Sequence, residues 1–201
     1  KVYVETCPQY LLMDDSLYEL PGFESAKYVC APPLRKKEDQ DCLWKGLADG
    51  TIQTVSTDHC SFTTEQKKLG EGDFTKIPGG MPGAETRGTL IYTYGVDKGR
   101  ITKEDMCRVL SENPAKLYGL YPRKGVIAPG SDADLVIMRT GVEDVITAKD
   151  QVQNVDYAPF EGTKVTGRVV SVFLRGLQAV KDGKVVEEKK GEFLKRGKYA
   201  L

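Results

Sequence analysis

Apolar residues along this chain change their spacing several times, and each change marks an element. Val2-Tyr3-Val4-Glu5 has the β-branched and aromatic content of a short strand. The stretch 26–30, Ala-Lys-Tyr-Val-Cys, reads as a second strand stopped by Pro32-Pro33. Between them, 14–24 is polar, holds Pro21-Gly22 and reads as loop. In 38–48, Leu43, Trp44 and Leu47 recur at helical spacing, and Gly50 stands where a helix C-cap belongs. The run 51–57 is β-rich and ends at Asp58. Strand, helix, strand with short connections is the pattern of βα units.

A long glycine-rich connection, 59–83, follows, with Gly70, Gly72, Gly79, Gly80 and Gly83. A loop of that length inside a compact domain is functional or disordered, and its direct attachment to the strand bearing Asp58 favours function. Helices are predicted over 84–95 and 102–117, the latter with Thr102 as N-cap and Asp105 three residues on, an imperfect capping box. Beyond Lys124 the pattern turns to short β runs: 125–127, 133–138, 169–174, 178–180 and 184–186. Pro129-Gly130, Arg175-Gly176 and Asp182-Gly183 mark the turns, and Asp-Gly between β runs is a strong hairpin signal. The predicted organisation is 1–122 as βα units, 123–190 as a small β-sandwich domain, and 191–201 as a basic, aromatic tail packed on the surface or on another subunit.

The balance of charge narrows the partners. Lys plus Arg number 29 and Asp plus Glu number 29, so no basic field is present for nucleic acid or an anionic membrane. No apolar run approaches the roughly 18 residues needed to span a bilayer. The chain opens at Lys1 within a strand pattern and without an initiator methionine, as a piece of a longer protein would. Its five cysteines form no CxxC and no regular spacing, which points to reduced thiols and a cytoplasmic setting.

The chemistry concentrates in "TDHCSF", 57–62, which holds the only histidine. Alternation through the preceding strand puts Ile52, Thr54, Ser56 and Asp58 on one face. An aspartate ending a strand in a βα barrel is placed to reach a metal or a water. A turn or N-cap role is the alternative. His59 points to the other side and suits a supporting or loop role, and nothing flanks Cys60 as a base. Two further stretches invite backbone contact with a ligand. In "APPLR", 31–35, the prolines leave main-chain groups near Ala31 unpaired, and "IPGGMPG", 77–83, allows close approach. Asp132 and Asp134 in "GSDADLVI" fit a turn entering a strand.

Taken together, "VETCPQYLLMD", "APPLRKKEDQDCLWKGLADG", "TDHCSF", "GDFTKIPGG", "NPAKLYGLYPRKGVIAPGSDADLVIM" and "DYAPFEGTKVTGRVVSVFLRG" resemble, in collinear order, the C-terminal part of the cyclic amidohydrolases. They are most similar to the D-hydantoinase and dihydropyrimidinase branch. Gln9 in "CPQY" stands where allantoinases and dihydroorotases tend to carry histidine. The resemblance implies an α/β fold: the C-terminal part of a metal-dependent (β/α)8 barrel plus a small β-sandwich. It implies hydrolysis of the ring amide of 5,6-dihydropyrimidines and 5-substituted hydantoins to N-carbamoyl amino acids. It further implies two divalent metal ions, commonly zinc, whose other ligands lie upstream of the matching segment, and a homotetramer or homodimer. Asp58 would be both a metal ligand and the general base and acid. The family's substrate contacts from backbone fall on Ala31 and Gly79, where relatives carry serine and asparagine. The rival expectations are a non-catalytic dihydropyrimidinase-like scaffold protein and a stand-alone assembly module. One aspartate and one histidine are too few for a binuclear centre, so this chain by itself is expected to hold no metal pair.

Overall fold

The structure is a computed structural model, and it describes residues 1–187 and 191–201. The element order is β1 (Glu5–Thr6), α1 (Pro8–Leu12), α2 (Asp39–Asp49), β2 (Thr54–Val55), α3 (Thr64–Lys67), α4 (Arg87–Ile91), α5 (Lys103–Cys107), α6 (Asn113–Leu117), β3 (Leu135–Val145), β4 (Lys164–Leu174), β5 (Leu177–Lys181) and β6 (Lys184–Val185). Among the described residues it is an α/β arrangement with two separate sheets.

The first sheet is a parallel pair, with Glu5 opposite Thr54 and Thr6 opposite Val55. Thr54 and Val55 are both buried, so both faces of β2 are packed, as parallel strands require. Gln53 donates its amide to the Val4 carbonyl at 3.0 Å, and Ser56 donates to Thr6 at 3.0 Å. Helix α2 forms as its apolar spacing predicts, and Gly50 ends it at φ 82°, a left-handed cap that a side chain would strain. Its Trp44 joins Leu11, Leu47, Ile52, Val55, Ile91, Ile101 and Val109 in one core cluster. A second cluster, around Leu34, Met81, Leu90, Phe160 and Val165, lies next to it. Leu12 and Tyr94 touch both.

The predicted helix 84–95 appears as α4 with a wider π turn, Tyr92–Val96. The predicted helix 102–117 runs from Lys103 to Leu117, and its capping box at Thr102 and Asp105 is complete. It is interrupted by a π turn, Arg108–Glu112, that ends two residues before Pro114. Proline has no amide to donate and its ring crowds the carbonyl four residues back, so the helix widens there.

The second sheet is antiparallel in the order β3-β4-β5-β6. Two-residue turns fix its register: Leu174 faces Leu177, and Lys181 faces Lys184. Arg175-Gly176 (φ 48° and 81°) and Asp182-Gly183 (φ 51° and 75°) both take positive φ at both turn positions, the geometry that matches strand twist. The first half of β4 docks on α4 and its π turn. There the Thr166 amide donates to the Thr93 hydroxyl at 3.1 Å and its hydroxyl to Asp97 at 3.0 Å.

Four local expectations are corrected. The stretch 26–30 is no strand: Glu24–Tyr28 is a 3-10 helix. A strand needs a partner for its main-chain groups. Here Val29 donates back to Ala26 at 3.3 Å, and its carbonyl accepts from Gly80 and from Lys67. The polar run 14–24 holds a 3-10 turn, Asp15–Glu19, capped by Asp14. The opening strand shortens to Glu5–Thr6, because only those residues find a ladder partner. Residues 125–127 lie in a turn region, with Gly125 at φ 85° and Ile127 86 % exposed. Asp132 and Asp134 serve that region as ion-pair partners of Lys124. The boundary at 190 lies outside the described residues. The tail runs back along the helix end, Gly197 donating to Gly119 at 2.8 Å and Ala200 to Lys116 at 2.9 Å.

Candidate active site

The chain leaves β2 through Ser56 and Thr57, and both are held by residues that leave β1. The Cys7 thiol lies 3.2 Å from the Ser56 hydroxyl. The buried Gln9 amide donates to the Thr57 carbonyl at 3.3 Å. Arg87 donates to the Val55 carbonyl at 3.1 Å, and Asn113 to that of Gln53 at 2.8 Å. The next residue, Asp58, sits at φ 46°, a conformation uncommon for any residue with a side chain. Its side chain is exposed. Among the described residues its carboxylate has no hydrogen-bond or ion-pair partner, so it neither caps a helix nor closes a turn.

His59, its neighbour, is committed elsewhere. Its Nδ1 accepts the amides of Gly83 at 3.1 Å and Ala84 at 3.2 Å. Nδ1 is therefore the acceptor of the ring, which fits the loop role that its position suggested.

Ala31 and Gly79 lie on segments fastened to this one. Gly80 donates its amide to the Val29 carbonyl at 2.8 Å, and Cys60 donates to Met81 at 3.1 Å. His59 and Met81 form an isolated parallel bridge. Thus the stretches carrying Ala31, Asp58 and Gly79 run side by side. Ala31 is exposed, its peptide to Pro32 is cis, and its own amide and carbonyl have no backbone partner among the described residues. The Pro32 carbonyl is held by the Tyr10 hydroxyl at 2.9 Å and approached by the Cys30 thiol at 3.3 Å. Burial pushes the Tyr10 hydroxyl and the Cys7 and Cys30 thiols upward, so these supports stay uncharged at neutral pH. Gly79 is exposed and a Cβ there would meet nothing. At Gly80, φ 136°, a Cβ would fall 2.4 Å from that of Cys60.

The long connection 59–83 contains a residue that sequence pattern did not single out. Lys67 is completely buried at the end of α3. Its ammonium donates to the carbonyls of Pro78 at 2.7 Å, Gly80 at 2.8 Å and Val29 at 3.2 Å. The Phe62 ring lies 5.7 Å away. Burial without a carboxylate lowers its pKa to about 8. The capping box at Thr63 and Gln66 starts α3, but no local signal separates Lys67 from its exposed neighbour Lys68.

Among the described residues no group of three or more His, Cys, Asp and Glu side chains comes together as a metal site. One free carboxylate at a strand end fits a single metal position. Two clefts of about 170 Å³ lie elsewhere, and neither includes Asp58, Ala31 or Gly79. No helix among the described residues is long and apolar enough to cross a membrane.

The site thus consists of a carboxylate without a partner among the described residues, just past a buried parallel strand pair, beside two segments with exposed backbone. The chain belongs to the amidohydrolase family, whose family model matches residues 15–186. It is 52% identical to a D-hydantoinase of Geobacillus stearothermophilus over 200 residues, 98% of this chain and 42% of that protein. A crystal structure of D-hydantoinase superimposes with a TM-score of 0.97 at 50% identity, over 100% of this chain and 44% of that one. The dihydropyrimidinase from Brevibacillus agri NCHU1002 superimposes with a TM-score of 0.91 at 49% identity, over 92% and 40%. The chain therefore spans less than half the length of the relatives it matches.

Proposed function

We propose that this chain forms part of a metal-dependent hydrolase that opens the ring amide of 5,6-dihydropyrimidines and 5-substituted hydantoins, releasing N-carbamoyl amino acids. The observation that carries the proposal is the Asp58 carboxylate, exposed just past β2 and without a partner among the described residues, in a chain 52% identical to a D-hydantoinase. The finer architecture belongs to the same proposal: the chain supplies the C-terminal part of a (β/α)8 barrel over 1–122 and a small β-sandwich domain over 123–190. So do its cytoplasmic setting and its assembly as a homotetramer or homodimer.

Asp58 has two tasks in this scheme. It holds one position of a centre of two divalent ions, commonly zinc, and it moves a proton. The ions, when bound, supply Lewis acidity toward water and toward the amide carbonyl. Asp58 takes the proton from the attacking water. As the ring C–N bond breaks, it delivers that proton to the departing nitrogen. The backbone groups at Ala31 and Gly79 grip the ring, and the fastened segments keep them beside Asp58. His59 is assigned a fastening role, its Nδ1 accepting the amides of Gly83 and Ala84.

The test is ring opening by the full protein containing this sequence. Dihydrouracil and 5-phenylhydantoin are assayed before and after chelation, then with zinc restored. Turnover that vanishes on chelation and returns with zinc is expected. A correctly folded protein that opens neither ring would overturn the proposal and favour a scaffold role.

A further inference from the structure

Lys67 is an unusual group to bury. An ammonium removed from water is costly unless its charge is met. No carboxylate meets it among the described residues; three main-chain carbonyls do, and they use all three of its donors. The positions of those carbonyls matter. Pro78 and Gly80 bracket Gly79, and Val29 lies two residues before Ala31. The Val29 carbonyl is shared, accepting from both Gly80 and Lys67. Close packing reinforces the closure: a Cβ on Gly70 would fall 2.2 Å from the Ile77 amide, and one on Gly80 2.4 Å from Cys60. One buried cation thus ties the two segments that offer backbone to a substrate.

We propose that Lys67 is a positioning residue of the active site, whose ammonium, by gathering the carbonyls of Val29, Pro78 and Gly80, holds the Ala31 and Gly79 backbone in register for the ring amide. This rests on the ring-hydrolase function proposed above. It assigns Lys67 to substrate grip and leaves proton transfer to Asp58.

Protonation gives the clamp a signature. With its pKa lowered to about 8 by burial, Lys67 loses its third donor just above neutrality. The titratable groups that face it are the thiols of Cys30 and Cys60, and burial pushes that of Cys30 upward. Removing the proton leaves one of the three carbonyls without a donor and turns a lone pair toward the others. Substrate grip should weaken as the pH passes that value.

The experiment uses the full protein and dihydrouracil, whose ring N–H keeps its proton over the range. Lys67→Met keeps the length of the side chain and removes every donor. At neutral pH its KM should rise about tenfold, the loss of a hydrogen bond's worth of binding, with kcat within about threefold. Zinc content should match the wild type. Wild-type KM should climb through pH about 8, and the variant's should be flat there. A folded Lys67→Met protein with wild-type KM overturns the proposal, as does one that loses kcat with KM unchanged. If the variant does not fold, the wild-type profile decides: KM constant from pH ~7 to ~9.5 overturns it. A wild type that opens no ring at all removes the hydrolase function itself, an outcome distinct from an active enzyme indifferent to Lys67.

Discussion

The parallel pair β1–β2 and the antiparallel sheet β3–β6 are held in opposite ways. The pair has two residues per strand in its ladder. The segments that leave it are fixed by side chains donating to main-chain carbonyls: Gln9 to Thr57, Tyr10 to Pro32, Arg87 to Val55, and Lys67 to Val29, Pro78 and Gly80. The sheet relies on its own ladder and on two tight turns, with the start of β4 also tied to the helical side through Thr166 and the Lys164 carbonyl. The contrast teaches where chemistry can be hosted. Regular ladders consume main-chain groups, whereas irregular segments pinned by buried side chains leave a few free and still hold them in place. Asp58, Ala31 and Gly79 all lie in the second kind of backbone.

The largest effect is expected at Asp58. In the full protein, Asp58→Asn should lower kcat about 10²–10⁴-fold, the usual worth of general acid–base catalysis. With the metal retained the thermal midpoint should hardly move, because the carboxylate supports no other side chain or main-chain group among the described residues. Near-normal kcat would remove Asp58 from the chemistry and leave the pinned segments merely structural.

Two glycine substitutions sharpen the contrast. Gly80→Ala meets both strain at φ 136° and a backbone-proximal clash with Cys60. Those cost about 1–3 kcal/mol each, and the substitution should raise KM as well as lower stability. Gly167→Ala in β4 places a Cβ 2.7 Å from Tyr92 Cδ1 without a φ penalty. It should cost about 1–3 kcal/mol of overpacking and leave KM alone. Denaturant melts and KM for both variants decide the point. If KM shifts equally in both, the division between a pinned site and a self-sufficient sheet is lost.

How far the sequence carried the fold follows the same line. Local codes were readable: helical spacing and the Gly50 cap gave α2, Thr102 gave the start of α5, and Asp182-Gly183 gave a hairpin. The candidate site was readable as motifs, since "TDHCSF" and "IPGG" stand out in the chain. Long-range hydrogen bonding was not. Ala-Lys-Tyr-Val-Cys has strand composition, yet its carbonyl at Val29 was taken by Gly80 and Lys67 from some 40–50 residues away, and it folded as a 3-10 turn. Lys67 and Lys68 are alike in type. Only tertiary placement makes one fully buried and leaves the other at the surface in an ion pair with Glu65.

A smaller effect probes the sheet alone. Gly183 holds φ 75° in the turn between β5 and β6. Gly183→Ala should cost about 1 kcal/mol or slightly more, since alanine resists that conformation. Ring opening should be unaffected. A change in kcat or KM would mean that the sheet's edge communicates with the site.

The smallest effect is expected next to the largest. His59 follows Asp58 in sequence and shares its exposure, so proximity alone would give the two equal weight. Their hydrogen bonding separates them. Asp58 is unpartnered, while His59 spends its Nδ1 on the amides of Gly83 and Ala84. His59→Ala removes that acceptor, but both amides lie where water can replace it. The cost should stay within about 0.5–1.5 kcal/mol, the net worth of an ordinary hydrogen bond. Some loosening of the turn after Gly83 should raise amide exchange at Gly83 and Ala84. Turnover should remain within a few-fold of wild type, because no proton or ligand position is lost. His59→Asn, which can offer a carbonyl oxygen to the same amides, should restore their protection. A loss of kcat in His59→Ala as deep as that of Asp58→Asn, unrescued by asparagine, would place the histidine in the chemistry and erase the distinction between a free group and a fastening one.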